Sequence, residues 1–105
     1  MIYLCSPYSH PDPFVREDRY LRTMQSVVSL MKRKEVVFSP IVHCHELAKI
    51  ADLPRDVDFW WEYNKGMLDV CTKVFYLRLN GWEQSKGMRR EIDYASAIGK
   101  EILPL

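Results

Sequence analysis

Residues 85 to 91, Ser85-Lys86-Gly87-Met88-Arg89-Arg90-Glu91, combine types and spacing suited to chemistry. They read as the first turns of a helix. A serine at the start caps free backbone amides, and the same amides with the helix dipole form a site for a phosphate or other anion; capping alone is the other reading of Ser85. Gly87 costs on the order of 1 kcal/mol against alanine inside a helix, which points to something approaching that face closely. Glu91 follows four residues later on the same face. Its neighbours Met88, Ile92 and Ala95 have core-directed spacing, so Glu91 is a candidate for a desolvated carboxylate with a raised pKa, suited to acid, base or nucleophilic work. The plainer alternative is an exposed glutamate paired with Lys86, Arg89 or Arg90.

A second cluster is His43-Cys44-His45-Glu46. Alternate histidines at a strand end are a way to present two ligands to a metal. Barrel hydrolases that use such a pair need further ligands and about 250 residues, whereas this chain has one other histidine, His10. Hydrogen bonding in a cleft is the expected role, and no metal is expected. Trp60, Trp61 and Trp82 have the composition of core residues, yet Trp82 follows Asn80-Gly81, a turn where an indole can wall a base or sugar pocket. Cys5, Cys44 and Cys71 are odd in number, widely spaced and set in apolar sequence, so they read as reduced packing residues.

Four strands and three helices are expected to position these groups. Ile2 to Cys5 reads as a buried strand that opens into the Pro- and Ser-rich segment from Ser6 to Pro13. Asp12 caps a helix with Pro13 at its first position, and Tyr20, Met24, Val27, Val28 and Met31 recur at helical steps over about five turns. Its basic end, Lys32-Arg33-Lys34, lacks the glycine that usually stops a helix. A strand around Val36-Val37-Phe38 then leads into a polar loop from Ile41 to Glu46 and a short apolar stretch from Leu47 to Ala51. Asp56 to Val70 is the second helix, Lys73 to Leu79 the third strand, Ser85 to about Ile98 the third helix stopped by Gly99, and Ile102-Leu103 the fourth strand. This alternation predicts an α/β fold: a minimal Rossmann-like, flavodoxin-like, three-layer domain with a parallel sheet of about four strands. Ligands in such sheets sit beyond the carboxyl ends of the strands, where the unusual residues fall.

The 105 residues suit one domain, and 15 Lys plus Arg against 14 Asp plus Glu give a formal charge of +1. No field of one sign is available for polymeric nucleic acid or a membrane surface. There is no apolar run long enough to span a bilayer and no leader pattern after Met1, so a cytoplasmic location is the default expectation. Neither G-x-G-x-x-G nor a P-loop motif is present.

The opening Ile2-Tyr3-Leu4-Cys5-Ser6-Pro7-Tyr8-Ser9-His10-Pro11-Asp12-Pro13, the segment Val37 to His45, and Gly81-Trp82-Glu83-Gln84-Ser85-Lys86-Gly87-Met88-Arg89-Arg90-Glu91 together resemble the nucleoside 2-deoxyribosyltransferase-like superfamily. They are most similar to a small family of unknown function within it, found in bacteria and phages. The most specific part is Ser85-x-Gly87-x-x-x-Glu91. The resemblance implies an N-glycosidic bond hydrolase or deoxyribosyltransferase that acts on a nucleoside or nucleotide without a cofactor, with Glu91 as nucleophile and Ser85 on the phosphate. It further implies contacts to the sugar or phosphate from Ser6, Tyr8, Ser9, His10 and Arg19, and from Gly81 and Gly87 near the strand ends. His43, His45, Trp60, Trp82 and Asn64 would line the base pocket. Asn64 stands where relatives present an acid; it can hydrogen-bond a base but cannot protonate one, with Asp58 and Asp69 as possible substitutes. The alternative is a module that binds or senses a nucleotide or an ADP-ribose-like metabolite without turnover. A homodimer or larger homo-oligomer is expected, since partner subunits complete the pocket in such relatives.

Overall fold

A computed structural model describes residues 1–54 and 57–105, with Val57 described by its backbone alone. The expected helix start at Asp56 lies outside the described residues. Four parallel strands, β1 (Ile2–Cys5), β2 (Val37–Phe38), β3 (Lys73–Tyr76) and β4 (Glu101–Pro104), form one sheet in the order β2-β1-β3-β4. The helices are α1 (Pro13–Lys32), α2 (Pro40–Ile50), α3 (Val57–Val70) and α4 (Lys86–Ala97). This is the expected α/β architecture, a minimal Rossmann-like three-layer fold.

All four residues of β1 are buried because both faces of the strand are covered. Tyr3 and Cys5 join Leu68, Cys71, Val74, Met88 and Ala95 in the core beneath α3 and α4. Leu4 points the other way, to Val27 of α1 and to Leu77. The chain runs outward from β1 to β2, returns past β1 to β3, and continues to β4. The loops after β1 and β3 therefore leave in opposite directions, which opens a crevice between their carboxyl ends.

The helix ends follow local chemistry. Asp12 accepts a hydrogen bond from the Phe14 amide, and Pro13 sits at the first position of α1. At the other end Lys34 takes the left-handed conformation at φ 66°, while its amide and that of Glu35 bond to Met31 and Leu30. A lysine thus fills the role of the missing glycine. Gly99, at φ 77°, closes α4 in the same way.

Two expectations need correction. The stretch read as a polar loop and apolar tail, Ile41 to Ala51, is mostly helix α2, capped by Ser39 and begun by Pro40. The inner face of α1 is Thr23, Val27 and Leu30, whereas Val28 and Met31 are exposed. In that helix the polar Thr23 is buried because its hydroxyl bonds back to the Arg19 carbonyl at 2.7 Å.

Candidate functional site

The crevice between β1 and β3 deepens into a cavity of about 290 Å³, at the lower end of small-molecule site sizes. Four parts of the chain wall it. The loop after β1 contributes Ser6, Tyr8 and Ser9; α2 contributes Pro40, Ile41 and Cys44; α3 contributes Trp60, Trp61 and Asn64; and residues 84–87 with Glu91 close the fourth side.

Glu91 lies on the inner stripe of α4 with Met88 and Ala95 and is only 7% exposed. Burial lifts its carboxyl from 4.5 to about 7, and a hydrogen bond from the Tyr3 hydroxyl to Oε2 offsets part of that rise. The exposed, ion-paired alternative is therefore excluded. Arg90 instead reaches Asp58 on α3 at 2.5 Å and lies over the Trp61 ring at 4.5 Å, pinning α4 to α3. Nothing in the local sequence marks Tyr3 as a site residue. It reaches Glu91 because alternation along β1 turns it toward α4, and only the pairing of distant elements reveals that.

Gly87 and Glu91, one turn apart, both face the cavity. Ser85 caps α4 through the Met88 amide at 3.2 Å and also lines the cavity. The Ser6 hydroxyl is buried on the same wall and finds no hydrogen-bond partner among the described residues. An orphaned buried hydroxyl carries a desolvation cost that a polar ligand group would relieve.

The other expected site residues are placed elsewhere. His43 and His45 are two positions apart on a helix, so they point to opposite sides rather than to one metal. His43 is exposed and stacks on Tyr63 with centroids 5.2 Å apart. His45 is buried behind the wall, bonded to Tyr8 and to Glu17. Among the described residues no group of three or more His, Cys, Asp or Glu side chains converges as a metal site would. Trp82 packs on Tyr76 at the edge of the core beneath α4. His10 accepts the Asp12 amide, and both His10 and Arg19 line a wider, open trough of about 770 Å³ beside α1.

Arg19 spends its guanidinium on the carbonyls of Tyr8, Ser9 and Asn80, which ties the loop after β1 to the loop after β3. Gly81 lets this clasp close: it holds φ 87°, and a Cβ there would stand 2.6 Å from the Arg19 head. Asp58 is committed to Arg90, Asp69 accepts the Tyr94 hydroxyl, and neither lines the cavity. The cysteines are buried, and burial pushes their thiols up, that of Cys44 to about 11.

Fold and site together define a Rossmann-like α/β domain with a buried carboxylate in a cavity at its topological switch point. Over residues 1–104 the chain matches the family described as a domain of unknown function, DUF1937, and it belongs to that family. No match to a curated protein was found. Among the described residues no helix is long and apolar enough to cross a membrane.

Proposed function

We propose that this protein cleaves or exchanges the N-glycosidic bond of a nucleoside or nucleoside 5′-monophosphate, with Glu91 as nucleophile, as the nucleoside 2-deoxyribosyltransferase-like resemblance implies. The observation that carries the reading is the buried Glu91 carboxyl in the cavity wall, held by Tyr3 and raised to about 7. Breaking the bond develops oxocarbenium character at C1′, and a carboxylate on the opposite face captures it as a covalent glycosyl intermediate. Water then gives hydrolysis, and a second base gives transfer.

Tyr3 is a positioning residue: it occupies Oε2 and leaves Oε1 to attack. Ser85 with the first amides of α4 suits a phosphate, the orphaned Ser6 hydroxyl suits a sugar hydroxyl or phosphate oxygen, and Trp60 with Trp61 offers faces for a base. Asn64 supplies hydrogen bonds for base recognition. This chemistry runs through a carboxylate and calls for no redox group or metal.

A second reading, a binding module without turnover, is favoured by one residue: Asn64 faces the cavity where an acid would serve. One experiment separates the two. Incubation with a panel of nucleosides and nucleoside 5′-monophosphates, followed by chromatography, is expected to show free base with wild type and none with Glu91→Ala. Wild type and variant equally inert across the panel, both folded, would overturn the enzymatic reading.

A further inference from the structure

A hydrogen-bonded chain that starts in the cavity wall at Tyr8 joins three elements. The Tyr8 hydroxyl, in the loop after β1, lies 2.7 Å from His45 Nδ1 on α2, and His45 Nε2 lies 2.7 Å from Glu17 Oε2 on α1. His45 is held still: its ring stacks on Tyr20 with centroids 4.1 Å apart and a tilt of 13°, and Tyr8 meets it edge-on at 5.5 Å. Glu46 and Lys49 of α2 also face this group; Lys49 stands 3.8 Å from Glu17, and Glu46 is 3.9 Å from His45 Nε2. Tyr8 and His45 are buried, while the Glu17 side chain is about half-exposed. A fixed order of carboxylate, imidazole and hydroxyl resembles the arrangement by which a carboxylate orients a histidine and supports its charge.

We infer that Tyr8, backed by His45 and Glu17, is the acid that protonates the leaving base, a role Asn64 cannot fill. This rests on the reading of the preceding section. Of the other wall residues, Asn64 has no ionisable proton, burial makes the Cys44 thiol a poor acid, and Lys86, the first residue of α4, stands beside Ser85 at the end assigned to the phosphate. Tyr8 both walls the cavity and is wired to an imidazole.

The protons balance without an outside donor. With His45 charged, both ring nitrogens donate, Nε2 to Glu17 and Nδ1 to the Tyr8 oxygen. As the C1′–N bond breaks, its electron pair stays on the base and the Glu91 carboxylate bonds to C1′. The base takes the Tyr8 proton while the Nδ1 proton moves to the Tyr8 oxygen, leaving His45 neutral. In the second half, water attacks C1′ and the C1′–O bond to Glu91 breaks. The water proton passes to Tyr8 as the Tyr8 proton returns to Nδ1, so acid becomes base and the charged imidazole is restored. Tyr8 is the catalytic residue of the three, and His45 and Glu17 are positioning residues.

The test compares purine deoxynucleoside 5′-monophosphates with their N7-methylated forms, whose base leaves without a proton. Tyr8→Phe is expected to raise the ratio of kcat/KM on methylated over unmethylated nucleotide by about 100-fold or more, the usual size of general acid catalysis. His45→Gln and the half-exposed Glu17→Gln should raise it in the same direction by less, with melting curves recorded to confirm folding. A ratio unchanged in Tyr8→Phe and Glu17→Gln would assign the chain a packing role and overturn this inference while leaving Glu91 as nucleophile. Wild type inert on both nucleotide forms and across the nucleoside and nucleotide panel would overturn it together with the reading it rests on.

Discussion

At the scale of single residues, Glu91 is an ionisable group held where its charge is costly. Its carboxyl titrates at about 7 in the folded protein against about 4.5 when exposed, so between those values the folded state binds the extra proton. Stability therefore falls as pH rises through that window, and above about 7 the full cost is present, on the order of 3 kcal/mol. Glu91→Gln keeps an acceptor for Tyr3 and removes the charge. Its melting temperature is expected to exceed that of wild type at pH 8.5 and to approach it near pH 5. A difference independent of pH would show that the carboxyl is not desolvated. A nucleophile must be ionised, so the same titration makes turnover rise with pH through about 7. Ser6 and Ser85 add polar groups to the same cavity, and Asn64 adds an uncharged amide. Position in the stripe Met88, Glu91, Ala95 was readable from spacing, and with it a desolvated carboxyl as one alternative; the hydrogen-bond partner that offsets the cost was not, because Tyr3 is 88 residues away.

Elements set what these residues meet. Helices α2 and α4 begin on the same device, a serine whose hydroxyl accepts an amide three residues on, Ser39 from Val42 and Ser85 from Met88. Each of Ser39→Ala and Ser85→Ala is expected to cost about 1 kcal/mol in chemical denaturation. Only Ser85 lines the cavity, so only Ser85→Ala should also lose the stabilisation that a nucleoside monophosphate confers. An equal ligand response in the two variants would confine Ser85 to capping. The Ser39-Pro40 pair repeats the logic of Asp12-Pro13, and it is the local signal by which α2 was detectable. A loop there would hold His43 and His45 in the same environment. The helical turn separates them, one stacked outside on Tyr63 and the other buried against Tyr8, Tyr20 and Glu17.

For the molecule as a whole, the arrangement expects a small ligand at one end of the sheet. At a ligand concentration 100 times the dissociation constant, stabilisation of about 2.7 kcal/mol is expected, a melting shift of about 10 °C or more for a domain of this size. Thermal denaturation of Glu91→Gln with nucleosides, nucleoside monophosphates and ADP-ribose measures it without consuming the ligand. The monophosphates are expected to give the largest shift, and no shift with any of them would remove the cavity's assigned role. The sequence by itself determined the strand order along the chain, the parallel sheet and three of the four helices, and it offered an inward Glu91 as one of two readings. These follow from hydrophobic period, caps and handed crossovers, all written within short windows of chain. Only the tertiary structure decided that Tyr3 holds Glu91, that Arg19 is a clasp between two loops, and that His45 joins Tyr8 to Glu17. Each of these joins residues far apart in sequence, and such pairings exist only once the sheet order and helix packing have brought separate elements to one place.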